Sequence, residues 1–211
     1  MLVTEVKKLD SKKSLVYLDY SPAFALYKTE IKRYDILPEH ELAETVYTEI
    51  LRNVLRKRCR ERAGYILGKS DKTENDLRMK LKQGYYPDEI IDEVVRDFTD
   101  YGYLNDERFT ENYVKYNISS KSKNRIYNEL IHKGVDKEII CHVFEEYTDD
   151  NEEYLSAQNR MIIKEFRNKK YDFGKEDRIL LNKIISSLMR KGFGYEDIMQ
   201  VYYKSKNDRD C

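Results

Sequence analysis

The hydrophobic pattern changes character near residue 39. Before it, two short runs rich in Val, Leu and Tyr, residues 2–9 and 14–20, flank the polar stretch Asp10-Ser11-Lys12-Lys13. Val3, Val6, Val16, Leu18 and Tyr20 fit a small β-hairpin, with residues 24–27 as a candidate third strand. Such a hairpin is marginal in isolation and needs a neighbour to cover one face. Residues 28–34 read as a short helix. Pro38 followed by Glu39, Glu41 and Glu44 predicts a helix start, because carboxylates favour the positive end of the helix dipole. Beyond that point the apolar spacing is helical. Leu42, Val46, Ile50 and Val54, with Leu55 beside them, mark one face; Arg52, Arg56 and Arg60 mark the other, and the helix is expected to run on through Ala63 to Leu67.

An internal repeat dominates the remainder. Leu77, Leu81, Ile91, Val94, Val95 and Phe98 form one unit, and Ile126, Leu130, Ile140, Val143, Phe144 and Tyr147 form a second with identical offsets. A third, Ile184, Leu188, Ile198, Val201 and Tyr202, keeps the offsets until Ser205 in the last place. Each unit predicts a helix, a tight turn and a second helix. Lys133-Gly134-Val135 and Lys191-Gly192-Phe193 occupy the same turn position, where glycine commonly closes a helix in the left-handed conformation. In the first unit Gly84 sits one place early and Tyr85 holds the glycine position, so a slightly different turn is expected there.

A further helix precedes each pair: residues 59–68, 109–117 and 155–166. Phe109, Tyr113 and Tyr116 share a face, as do Leu155, Ile162 and Phe166, and these are expected to be core. The organisation predicted is a mainly α chain with residues 1–38 as a β-hairpin extension and three tandem three-helix repeats at 39–100, 101–150 and 151–211. One such module has little core, so stacking in series is expected. The acidic run EEYTDDNEE at 145–153 is expected to be an exposed linker or helix start, and a flexible joint.

Composition narrows the function classes. Lys plus Arg and Asp plus Glu each total 39 in 211 residues, giving zero net charge at 37% charged residues. That balance argues against tight non-specific DNA binding by the whole chain. No stretch is long and apolar enough to span a membrane, and MLVTEVKKLD lacks the apolar run of a secretory signal. Three scattered cysteines do not make a disulfide scaffold, so a reducing cytoplasm is expected. No catalytic constellation stands out. Cys141 and His142 are adjacent, poor geometry for chelating one zinc, and there is no CxxC. Neither phosphate-loop nor dinucleotide-binding glycine pattern occurs. Neither enzyme activity, cofactor nor metal is expected.

Basic residues are the more informative signal. Arg52, Arg56, Lys57, Arg58, Arg60 and Arg62 cluster on one helix. Lys121, Lys123, Arg125 and Lys133 bracket the first repeat helix of the second module. The third module carries Lys164, Arg167, Lys169, Lys170, Arg178, Lys183, Arg190 and Lys191. These are candidates for phosphate or an acidic protein surface, set against the ordinary solvated surface of a heavily charged chain. Three short helices with a tight turn also resemble a helix-turn-helix unit, but no helix concentrates the Arg, Asn and Gln of a major-groove reader.

Three motifs, in order, carry a family resemblance. Gly102-Tyr103-Leu104-Asn105-Asp106-Glu107-Arg108-Phe109 resembles the GYLDDxRFA signature of RecX recombination regulators, with Asn105 for the first Asp and Thr110 for Ala. Residues 121–126, then Glu129-Leu130 and Lys133-Gly134-Val135-Asp136, resemble the family's KGxxxI..EL..KGI/V, with Ser122 for Gly. TENDLRMKL at 73–81 and then 87–94 resemble its first repeat. The resemblance spans about residues 45–205 and implies three tandem three-helix repeats in an elongated curved array. It implies a non-enzymatic regulator that binds the RecA filament on single-stranded DNA and lowers ATP hydrolysis, strand exchange and co-protease activity. DNA repair by homologous recombination and the SOS response would be its setting. Tyr103, Leu104 and Phe109 are then packing residues. The contacts implied are Arg108, Lys121, Arg125 and Lys133, with Lys164, Arg167 and Lys191 in the third module; Arg108 stands equally well as a structural partner of Asp106 or a neighbouring carboxylate. Partners expected are RecA and, directly or through the filament, single-stranded DNA, with the protein a monomer. The alternative is a stand-alone helical DNA-binding protein, either a transcription regulator or a single-strand binder.

Overall fold

The computed structural model describes residues 1–148, 152–175 and 177–207; the side chains of 147–148 and 152–154 lie outside the described set as well. The chain separates into two compact units, Met1–Asn105 and Asp106–Cys211.

The first unit begins with an antiparallel sheet of three strands in sequential order, β1 (Val3–Lys8), β2 (Lys13–Leu18) and β3 (Ser21–Tyr27). Val6 pairs with Val16, and Val16 with Phe24. Val3, Val16, Leu18, Phe24 and Leu26 share one core with Ile50, Leu55, Cys59 and Ala63 of the helix behind the sheet. The hairpin therefore gains its stability from that helix, as a three-stranded sheet with one covered face should. The candidate third strand is present, and α1 (Lys28–Arg33) follows it directly.

The helix expected at Pro38 starts later. Segment 39–42 runs alongside β1 instead: Val3 N–H donates to the His40 carbonyl at 2.9 Å, Glu39 N–H to the Val3 carbonyl at 2.7 Å, and Leu42 N–H to the Met1 carbonyl at 2.8 Å. These backbone groups are satisfied by the strand edge rather than by a helical turn. The helix opens at α2 (Glu44–Glu49) and continues through a π-helical stretch, Ile50–Leu55, into α3 (Arg56–Lys69). The wider π turn moves the apolar face on by one residue. Ile50, Leu55, Cys59 and Ala63 are fully buried, while Val54 is only partly so. A regular period of 3.6 cannot anticipate this shift.

Three groups of three helices follow the repeat. They are α3 with α4 (Glu74–Lys82) and α5 (Asp88–Asp100); α6 (Asp106–Asn117), α7 (Lys123–His132) and α8 (Lys137–Thr148); and α9 (Glu152–Asn168), α10 (Arg178–Arg190) and α11 (Tyr195–Asn207). The first five repeat positions are buried in every group: Leu77, Leu81, Ile91, Val94 and Val95; Ile126, Leu130, Ile140, Val143 and Phe144; Ile184, Leu188, Ile198, Val201 and Tyr202. At the sixth, Phe98 is half-buried and Ser205 partly exposed, while the Tyr147 side chain lies outside the described residues. The turn glycines take φ of +77° at Gly134 and +87° at Gly192, and Tyr85 adopts +57° at the same position. The first turn thus keeps the left-handed geometry of the others, with a non-glycine residue accepting its strain.

Each middle helix has a side-chain cap. Thr73 accepts from the Asp76 N–H at 3.1 Å, Ser122 from Arg125 at 3.3 Å and Asp177 from Leu180 at 2.9 Å. Three expected core residues lie outside the cores. Tyr103 is 65% exposed with one side against Phe98, Tyr116 is 79% exposed, and Leu155 is 55% exposed. Tyr116 follows the fully buried Val114 by two positions on α6, which rotates it towards solvent. Leu155 precedes Ile162 by nearly two turns, in the first turn of α9. Within the second unit the two helix groups are tied directly. Ser122 Oγ donates to the Lys191 carbonyl at 2.6 Å, and Gln158 Nε2 donates to the carbonyls of Ile118 at 3.0 Å and Lys121 at 3.1 Å. Of the acidic run expected as a joint, residues 149–151 lie outside the described residues.

Candidate interaction surfaces

Three of the expected cations converge in the second helix group. Lys121, just before the α7 cap, reaches Glu129 Oε2 at 2.6 Å. Arg125 Nε donates to Glu129 Oε1 at 3.1 Å along the same helix. Tyr113 of α6 donates its hydroxyl to Glu129 Oε2 at 2.7 Å and accepts from Lys121 Nζ at 3.3 Å. Lys121 lies 5.3 Å and Lys133 5.8 Å from the Tyr113 ring centroid, with Lys133 equally far from Phe109. Partial burial works to raise the Glu129 pKa, but the hydrogen bonds from Lys121, Tyr113 and Arg125 outweigh it and hold the carboxyl at about 2. The Tyr113 phenol moves up, through burial first and its bond to Glu129 second. Glu129 thus draws Lys121 and Arg125 onto one carboxylate, with the Arg125 side chain 58% exposed at the edge of the cluster.

The third group places its cations differently. Lys191 Nζ meets Glu165 Oε2 at 2.5 Å, and Ser187 Oγ donates to Glu165 Oε1 at 2.9 Å. Glu165 is 8% exposed, and the Lys191 hydrogen bond lowers its pKa against the opposing effect of burial. That pair is neutral. Lys164 and Arg167, its neighbours on α9, are exposed and form no ion pair among the described residues. With Arg160 they stand at i, i+4 and i+7, one exposed stripe that sequence reading did not single out although the spacing shows it. Arg108 is exposed in the first turn of α6. The seven expected residues thus fall into a cluster of three, an internally paired lysine, an exposed pair and a separate arginine.

The basic stretch on α3 is largely engaged within the first unit. Arg58 pairs with Glu30 and lies over the Tyr27 ring, Arg56 pairs with Glu93 at 2.6 Å, and Arg60 with Asp97 at 2.7 Å. Cys59 is buried beside them, and burial pushes its thiol up to about 12, so it is inert as a nucleophile. His142 faces Glu107 at 3.4 Å and Glu146 at 3.8 Å. Among the described residues no group of three or more His, Cys, Asp or Glu side chains could hold a metal ion, and no helix is long and apolar enough to cross a membrane.

Comparisons with known proteins place this geometry. The model of the second three-helix domain of RecX matches residues 105–143, and that of the third three-helix domain matches 162–202. The "Regulatory protein RecX" of Clostridium acetobutylicum is 29% identical over 144 residues, covering 68% of this chain and 66% of that protein's length. The Listeria welshimeri protein of the same name is 26% identical over 207 residues, 97% of this chain and 75% of the relative. That of Clostridium perfringens is 27% identical over 201 residues, 91% and 89%. A crystal structure of regulatory protein RecX superposes with a TM-score of 0.63 at 19% identity, covering 95% of this chain and 98% of that one. RecX from Lactobacillus salivarius gives 0.62 at 24% identity, covering 71% and 95%. At these identities the two structures share the fold.

Proposed function

The chain belongs to the RecX family, and on that premise we propose that it regulates RecA by binding the recombinase filament on single-stranded DNA and lowering its ATPase, strand-exchange and co-protease activities. It acts by occupancy rather than by catalysis, as a cytoplasmic monomer. The observation that supports this reading best is the placement of the second and third RecX domains on the two helix groups that carry all seven candidate cations. Contact is made through Lys164 and Arg167, exposed on α9, through Arg108, and through the cluster of Lys121, Arg125 and Lys133 at its exposed Arg125 edge; Lys191 holds Glu165 and contributes its remaining surface. Neither a metal nor a cofactor takes part.

The test is single-stranded-DNA-dependent ATP hydrolysis by the cognate RecA, titrated with this protein below one copy per recombinase. A fall at substoichiometric ratios, with co-sedimentation on filaments, is the expected result. No change in turnover and no association would overturn the reading. A specific duplex footprint without RecA, or tight single-strand binding that weakens steeply with salt, would replace it with a stand-alone DNA-binding protein.

A further inference from the structure

The outer face of α10 is unlike the rest of the second unit. Ile179, Lys183, Ser186 and Arg190 stand at i, i+4, i+7 and i+11, a stripe of about 16 Å at the helical rise. Ile179 near the start of the helix is 72% exposed, and Met189 near its end 51%. Together with Leu180, Asn182 and Lys169 these residues line a broad, shallow groove of about 960 Å³. Its described lining contains three cations and no carboxylate, and neither Lys183 nor Arg190 forms an ion pair among the described residues. The exposed Ile179 and Met189, set along a groove with unpaired Lys183 and Arg190, leave apolar surface in water that a partner would cover.

We propose that this face of α10 is a docking surface for an acidic amphipathic segment of a protein partner, its apolar side chains on Ile179, Leu180 and Met189 and its carboxylates on Lys183, Arg190 and Lys169. The charge complementarity selects acidic partners. The described lining of the groove holds no aromatic side chain, which disfavours a single-stranded nucleic acid, whose bases need a stacking platform. In helix-in-groove recognition the partner helix supplies apolar anchors at i, i+4 and i+7. The inference deepens the proposed function by naming a contact surface for the filament's protein component, and it rests on that reading only for the partner's identity.

Two variants test it, Ile179→Ser and the double Lys183→Glu/Arg190→Glu. All three positions are exposed, so circular dichroism and the urea midpoint should match the parent. Co-sedimentation with RecA filaments and inhibition of their ATPase are measured with full-length protein. In parallel, anisotropy is measured with a labelled synthetic peptide carrying Leu at i, i+4 and i+7 and Glu between them. The expected result is a tenfold or greater rise in half-effect concentration for filaments, and a comparable loss of peptide affinity. If both variants act on filaments and peptide like the parent, the inference fails. If the parent ignores filaments yet binds the peptide through these residues, the RecA reading fails while the surface stands. Equal loss of affinity for bare single-stranded DNA would make α10 a nucleic-acid face and overturn the proposal.

Discussion

The second and third helix groups share core positions but handle the outer face of their middle helix in opposite ways. On α7 the position three residues after Ile126 is Glu129, and it gathers Lys121, Arg125 and Tyr113 onto itself. On α10 the equivalent residue after Ile184 is Ser187, whose hydroxyl turns inward to Glu165. The helices also begin differently. Ser122 caps α7 four residues before Ile126, whereas Asp177 caps α10 seven residues before Ile184. The additional turn carries Ile179 into solvent. One carboxylate and one turn thus separate a face whose cations are drawn onto a glutamate from a face that presents apolar and basic groups outward. A common core fixes neither.

The largest expected effect tests how tightly the two groups are joined. At Gly192 the backbone has φ of +87°, and an added Cβ would sit 2.6 Å from Ser122 Oγ. Gly192→Ala should cost about 2 kcal/mol or more, combining left-handed strain with disruption of the Ser122 bond to the Lys191 carbonyl. Gly102→Ala, with φ of +72° and open space around it, should cost only the strain, about 1 kcal/mol. Urea denaturation of both variants measures the difference, and equal losses would mean that the Ser122 contact contributes nothing.

A smaller effect probes the α7 face. Glu129→Gln should lower stability at pH 7 by about 1 kcal/mol, the scale of a partly exposed charged hydrogen-bond cluster. The Glu129 carboxyl drops from an ordinary 4.5 to about 2 in the folded protein. Its contribution is therefore complete above pH 4.5 and disappears as the pH falls through 2. The parent should lose more stability than the Gln variant across that window, with Glu165, whose pKa is also lowered, contributing acid sensitivity to both. Identical acid profiles would break the contrast between the faces.

The smallest change sharpens the comparison with the first group. Tyr85 holds φ of +57° where the other repeats place glycine, and it is 41% exposed. Tyr85→Gly should leave stability unchanged or raise it by up to about 1 kcal/mol, since relief of left-handed strain competes with the greater entropy of an unfolded glycine. A marked loss in thermal unfolding would show that the exposed ring contributes packing.

Much of this architecture was legible from spacing. Residues such as Ile126, Leu130 and Ile140 announce the repeat because the period of a helix is a local property of its backbone. The turn glycines and the Thr73 and Ser122 caps are equally local. The late start of α2 was not legible, because β1 captures segment 39–42 through backbone groups that every residue carries. Nor was the burial of Leu55 ahead of Val54, which one π-helical turn decides. Of the candidate surfaces, the cations could be counted but not sorted. Arg125 and Glu129 are one turn apart and could be paired by eye, whereas Lys121 meets Glu129 from outside α7 with Tyr113 of another helix bonded to both, and Lys191 meets Glu165 across 26 residues.

By itself the sequence determined which positions form the three cores and where the middle helices turn back, since both follow from local periodicity and turn chemistry. Only the tertiary structure decided which basic side chains are engaged and which face outward. Long, flexible lysine and arginine side chains can reach several carboxylates, and the choice among them depends on which helices pack side by side.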